Sequence, residues 1–282
     1  MNKLFNNILV SVDFSKESEE AIKEAVEIAN SFQCNIHLLH VAGVSLFSRS
    51  KKKLGHAAND TLVDSNEAKL YALHNKYTYQ LDAGLVMQAS LRHGELETSI
   101  VEFTVRNQID LIVIGKAKFL SLLHIVQPLN ITRLSKKVNC PVLTIQPKTR
   151  RKSWNNIVLP VTADLPIRKI MFASYLAKKF NSRIHLISMK GRVQGEPDAT
   201  VYMYKAYQLL RDNTNLRIEC HTVQGENLAD SVLRYAQKVD AGLIVVNPGK
   251  EAFLSGFLNR FFAAFFFNNK GIPVMTVSSM QV

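Results

Sequence analysis

The residue types that carry most enzyme chemistry are present in this chain, but their spacing does not assemble them. The three cysteines, Cys34, Cys140 and Cys220, are scattered and odd in number, which fits neither a disulfide framework nor a metal motif. Cys140 stands directly before Pro141 at the start of an apolar run, a setting for a small packed side chain rather than a reactive thiol. No Ser/His/Asp or Cys/His arrangement follows from the spacing, so no catalytic residue and no metal ligand is assigned. His37 and His185 occupy equivalent places in two matching segments, and that repetition favours packing over ligation. What is left is a set of residues placed directly behind apolar runs. Asp13 follows Ile8–Val12, and Gly115, Lys116 and Lys118 follow Leu111–Ile114. Asp13 has two readings, a cap for the turn or helix that comes next and a ligand contact. The two lysines are either solvated loop residues or point charges for an anion.

These residues need a scaffold, and composition bounds it. The chain has 282 residues, 47% hydrophobic and 21% charged, ordinary for a globular protein of two domains. No apolar run reaches the ~18–20 residues that span a bilayer. The start, Met1–Phe14, reads as a first strand rather than a signal peptide, so the expected location is the cytoplasm. The net charge of +12 is divided as +4 over residues 1–150 and +8 over the rest. That excess permits weak, non-specific association with anions but names no partner. No zinc-finger, aromatic RNA-binding or basic-zipper signature accompanies it.

The chain repeats itself. Asn6–Val10 recurs as Asn155–Leu159, and Ile36–Leu39 as Ile184–Ile187, at offsets of 149 and 148. Leu111–Gly115 recurs as Leu243–Asn247, and Cys140–Thr144 as Ile272–Thr276, both at an offset of 132. Four matches in one order mark a duplication whose second copy has a shorter middle.

Within each copy, short β-branched runs alternate with helical patterns, the signature of βαβ units and a parallel sheet. The first copy predicts strands at Ile8–Val12, Ile36–Val41, Leu85–Leu91, Leu111–Ile114 and Val142–Ile145. Its helices are predicted near Ser18–Ser31, Asp60–Tyr79, Glu95–Gln108 and Leu129–Val138. The second copy predicts strands at Ile157–Val161, Ile184–Ser188, Leu216–Val223, Leu243–Val246 and Val274–Val277. Its helices fall at Ile167–Phe180, Pro197–Asn213, Asn227–Lys238 and Arg260–Asn268. The domains are residues 1–147 and 154–282, joined by a basic linker at 148–153. Loops are expected at Gly43–Ala58 and Gly191–Pro197. Right-handed crossovers make each sheet doubly wound, and ligands of such sheets bind beyond the carboxyl ends of the strands. That edge carries Asp13, Val41, Ala42 and Gly115 in the first copy, and Thr162, Met189, Lys190 and Asn247 in the second.

The opening Ile8–Ser15, the helix of Ala21–Ala29, the strand Asp110–Gly115 and the closing Cys140–Thr144 together resemble the universal stress protein family, and the resemblance extends over nearly the whole chain, twice. It implies α/β domains, each a five-stranded parallel sheet of order 3-2-1-4-5 flanked by helices. It also implies pairing through the last strands, which two copies in one chain would make internally as a pseudo-dimer, with further dimerisation open. Members that bind ATP are expected to use an Asp after strand one, backbone after strand two, and a loop Gly-x2-Gly-x9-Gly-(Ser/Thr) after strand four. Other members lack the loop and do not bind ATP in this way.

The loop pattern has a physical basis. Glycines let backbone N–H groups reach phosphate oxygens with no Cβ in the way, and the helix N-terminus behind them adds positive potential. Here the four positions are Gly115, Lys118, Pro128 and Leu129 in the first copy, and Asn247, Lys250, Arg260 and Phe261 in the second. Gly115 to Pro141 and Asn247 to Pro273 both span 26 residues, so the alignment needs no gap. Pro128 has no N–H to give a phosphate. Apolar segments occupy the loop region instead: Phe119–Val126, and Phe253–Phe267 with its seven phenylalanines. Each segment is either core or an exposed patch for a partner or a membrane surface. The sequence therefore reads as a non-enzymatic stress-response module with degenerate nucleotide sites and no cofactor. It would bind a protein partner or small ligand. The alternative is an ATP or adenine-nucleotide switch using the first domain, with Asp13, Val41, Gly115, Lys116 and Lys118 at the nucleotide.

Overall fold

The computed structural model describes residues 3–43, 57–115, 129–145, 154–162, 164–189, 199–224, 228–247 and 271–278. Lys116, Lys118, Pro128, the 148–153 linker, the 253–267 Phe-rich segment, the helix expected at Arg260–Asn268 and most of the two expected loops lie outside them. The chain divides into two compact units, Met1–Cys140 and Pro141–Val282.

The first unit runs β1 (Asn7–Ser11), α1 (Lys16–Phe32), β2 (Asn35–Ala42), α2 (Ala57–Thr78), β3 (Met87–His93), α3 (Leu96–Arg106), β4 (Leu111–Gly115) and α4 (Ile131–Lys137). The second unit opens with β5 (Val142–Ile145) and β6 (Asn156–Pro160), followed by α5 (Ile167–Phe180), β7 (Arg183–Met189) and α6 (Ala199–Asn213). It closes with β8 (Arg217–Val223), α7 (Leu228–Lys238), β9 (Leu243–Val246) and β10 (Val274–Thr276). In the first unit β1 pairs with β2 and β4, and β2 with β3, all parallel, giving the order β3-β2-β1-β4. In the second the parallel order β8-β7-β6-β9-β10 is the 3-2-1-4-5 arrangement in full. There β10 also pairs antiparallel with β5, the last strand of the first repeat.

The central strands are apolar because both faces are covered: Ile8, Leu9, Val10, Leu111, Ile112 and Val113 have no exposed surface, nor do Ile157, Val158, Leu159 or Leu243–Val246. Helix α1 buries Ala21, Ile22, Ala25, Val26, Ile28, Ala29 and Phe32, a single stripe at helical spacing. It ends at Gln33 in the left-handed region, as α5 ends at the equivalent Asn181. An edge-to-face aromatic pair lies at the same place in each copy, Phe5 on Phe32 at 5.4 Å and Trp154 on Phe180 at 5.0 Å.

Several predicted boundaries move for local reasons. β3 starts at Met87, not Leu85, because Val86 gives its N–H to the Asn35 side chain at 3.0 Å and is 49% exposed. Helix α4 begins after Asn130, whose carboxamide oxygen accepts from the Arg133 N–H at 3.0 Å. The division between units falls after Cys140, which groups β5 with its partner β10.

One buried charge joins two helices of the first unit. Glu97, in the first turn of α3, is 2% exposed and accepts from Arg133 at 2.6 Å and lies 2.7 Å from the Lys137 ammonium, both on α4. Burial pushes its pKa up, but the hydrogen bonds from Lys137 and Arg133 outweigh burial and leave it below the ordinary 4.5. A depressed carboxylate stabilises the fold above its unfolded value, and that stabilisation disappears as pH falls through the folded one. Glu97→Gln is expected to lower unfolding free energy by about 1–2 kcal/mol at neutral pH, the exposed cations recovering their hydration. Urea titrations should show this difference constant from pH 7 down to 5 and shrinking below the ordinary value of 4.5.

Candidate functional site

The carboxyl end of β1 continues along β2, Val12 donating its N–H to Leu39 O at 2.8 Å. The chain then turns sharply. Asp13 is exposed, and its Oδ1 accepts from the Ser15 N–H at 3.0 Å and from the Ser15 hydroxyl. Ser15 is the N-cap of α1, its Oγ accepting from the Ser18 N–H at 3.1 Å. Asp13 thus orients the residue that starts the helix, which is the capping role.

Between them Phe14 adopts φ 63°, a left-handed conformation that is strained for an aromatic residue. Its ring packs on His40 with centroids 4.3 Å apart, and the Lys69 ammonium lies 5.9 Å from the ring centre. His40 in turn donates from Nδ1 to Val12 O at 2.8 Å. Burial lowers the His40 pKa, against the Val12 hydrogen bond that raises it. Phe14 and His40 therefore place aromatic surface beside Asp13 at the ends of β1 and β2.

Val41 is half-buried and lies level with Arg92 of β3. The carbonyl of Ala42 accepts from the Gly94 N–H at 3.2 Å, so that backbone acceptor behind strand two is engaged within the sheet. Gly115 ends β4. A Cβ there would sit 2.0 Å from Glu17 O and 2.5 Å from Ser18 N, inside the first turn of α1. The glycine is required by the close approach of that helix to β4, whatever else the position does. The structure thus brings Asp13, Val41 and Gly115 to one sheet edge.

The second unit is built differently at the same edge. Lys169 of α5, equivalent to the buried Ala21 of α1, is 2% exposed and donates to Pro160 O at the end of β6. Sequence reasoning passed over it, although a lysine two residues into an otherwise apolar helical register is a visible signal. Asn247, in the place of Gly115, is buried.

The profile of the universal stress protein family matches residues 4–146. A universal stress protein of Methanocaldococcus jannaschii is 27% identical over 143 residues, which is 51% of this chain and 83% of that protein. One of Bacillus subtilis is 25% identical over 148 residues, 51% of this chain and the whole of that protein. Over the full length, the crystal structure of a universal stress protein from Archaeoglobus fulgidus is similar at a TM-score of 0.71 and 14% identity, covering 98% of each chain, a likeness of fold.

Gly115→Ala should destabilise the first unit by about 2–3 kcal/mol or more, since the added methyl meets backbone rather than a movable side chain. Asp13→Ala should remove about 1 kcal/mol through the Ser15 cap. Denaturant midpoints of the two variants check both values, and a Gly115→Ala protein of unchanged stability would contradict the close approach of α1.

Proposed function

This chain belongs to the universal stress protein family, and from that we infer that it acts as a non-enzymatic binding or regulatory module in the stress response, working in the cytoplasm with degenerate nucleotide clefts. The observation that carries this reading is Gly115. It is the one residue of four that fits the phosphate-loop pattern in the first copy, and its retention has a steric cause in the approach of Glu17 and Ser18. Asp13, the other retained feature, holds the cap of α1. The remaining loop positions, Lys118, Pro128 and Leu129, are side chains that would crowd a triphosphate or residues with no N–H to offer it. The ligand is then a protein partner or a small molecule, and the apolar segments Phe119–Val126 and Phe253–Phe267 are the sequence features best suited to holding one.

A second reading keeps ATP or another adenine nucleotide in the first unit. It is favoured by the exposed Asp13, whose two hydrogen bonds both fall on Oδ1, and by the aromatic surface of Phe14 and His40 beside it. Lys116 and Lys118 would then meet the phosphates as point charges, with Val41 lending backbone.

Thermal unfolding in the presence of magnesium and ATP separates the two. The first reading expects no shift at millimolar nucleotide. The second expects stabilisation by mass action, ~2.7 kcal/mol at a hundredfold excess over the dissociation constant, and abolished by Asp13→Ala. A saturable, Asp13-dependent rise would overturn the degenerate-cleft reading.

A further inference from the structure

Away from the strand ends, the outer half of the second unit's sheet carries a cluster with no counterpart in the first. His185 on β7 is level with Glu219 on β8, and Ile187 with His221, so the three polar residues project from one sheet face. Tyr235 of α7 covers them, its ring 5.7 Å from that of His185 and 4.7 Å from that of His221. The Glu219 Oε2 atom lies 3.4 Å from His185 Nδ1 and 3.2 Å from His221 Nε2, and one donor atom from each of the three residues lies within 4.8 Å of the other two.

The proton placement follows from the neighbours. Asn156 donates from Nδ2 to Val239 O at 2.7 Å, which turns its Oδ1 toward His185 Nε2 at 3.1 Å. His185 therefore carries its hydrogen on Nε2, and its Nδ1 lone pair faces the carboxylate. Nδ1 accepts from the Tyr235 hydroxyl at 3.0 Å, and an ion held between Nδ1 and Oε2 would take the place of that donor. A carboxamide fixing the far nitrogen of a buried imidazole is the outer-sphere arrangement of metal-bound histidines. Ligands about 2.1 Å from a tetrahedral ion lie roughly 3.3–3.5 Å apart, which two of these separations already approach.

The first repeat serves as an internal comparison. There His37 keeps the contact with Asn7, at 3.5 Å, and an aromatic partner, Phe103, at 5.8 Å. In the places of Glu219 and His221 it has Gln88 and Ser90, residues level with His37 and Leu39. The shared histidine thus packs in both copies, and only in the second did its surroundings gain nitrogen and carboxylate donors at ligating distance. We propose that His185 Nδ1, Glu219 Oε2 and His221 Nε2 form a site for one divalent transition-metal ion of the zinc class. His185 is 2% exposed, while Glu219 and His221, at 39% and 38%, leave the site open to solvent for entry and for a fourth ligand. Two neighbours oppose binding. The Tyr235 hydroxyl, 3.0 Å from Nδ1, must turn away, and Arg183, 2.9 Å from Glu219 Oε1, repels the ion while leaving Oε2 for it.

The test uses the full chain, stripped with a chelator and titrated with Zn2+ against a chromogenic competitor. One equivalent of Zn2+ is expected. Its affinity should fall at least tenfold when Glu219→Gln and His221→Ser are combined to copy the first repeat, with circular dichroism confirming the fold. Cys220→Ser, on the opposite sheet face, should leave affinity unchanged. Absence of stoichiometric Zn2+, equal affinity in the double variant, or loss in Cys220→Ser would each overturn the assignment.

Discussion

The first turn of α1 lies directly against the end of β4, closer than any side chain at position 115 allows. This contact sets the geometry of the whole strand-end region in the first unit. It brings the Ser15 cap next to β1, requires the tight turn through Asp13 and Phe14, and so places the Phe14 ring on His40. A residue that a motif would assign to phosphate is thereby tied to helix packing, and a residue that the family pattern would assign to nucleotide is tied to the helix cap. Gly115 and Asp13 each have a structural role in this corner of the fold, one in helix packing and one in the helix cap.

The two repeats share a skeleton down to single interactions: the left-handed helix ends at Gln33 and Asn181, the aromatic pairs of Phe5 and Trp154, and the histidines held by Asn7 and Asn156. They differ in where each buries its charge. The first unit places a carboxylate at Glu97 where the second has Ala229, and the second places an ammonium at Lys169 where the first has Ala21. Buried charges are tolerated only with partners in place, so each exchange came with a local rebuilding of neighbours. These two exchanges fall at buried positions inside an apolar frame that both repeats share.

That frame was legible in the sequence because its signals are local. Apolar runs and helical spacing located the described strands and helices, and the repeat supported the four segments that match between the copies. The start of β3 was misplaced because Leu85 and Val86 are apolar, yet Leu85 closes the preceding turn and Val86 bonds the Asn35 side chain. The site was less legible for a different reason. The clash that demands Gly115 involves Glu17, far away in sequence, and no periodicity reports it. Likewise, placing Glu219 opposite His185 depends on the register between two parallel strands, and a shift of one residue would turn the group to the other face. Lys169 is the exception, since its intrusion into the α5 stripe could have been read directly.

The antiparallel pairing of β5 with β10 has a consequence for how such a molecule responds to its surroundings. Strands that meet by collision between separate chains hold together only while those chains are abundant. Strands on one polypeptide meet without a collision between chains, so their pairing is independent of protein concentration. β10, flanked by β9 on one side and β5 on the other, also has no open edge to offer a newcomer. Pairing within one chain therefore does not weaken as the protein is diluted.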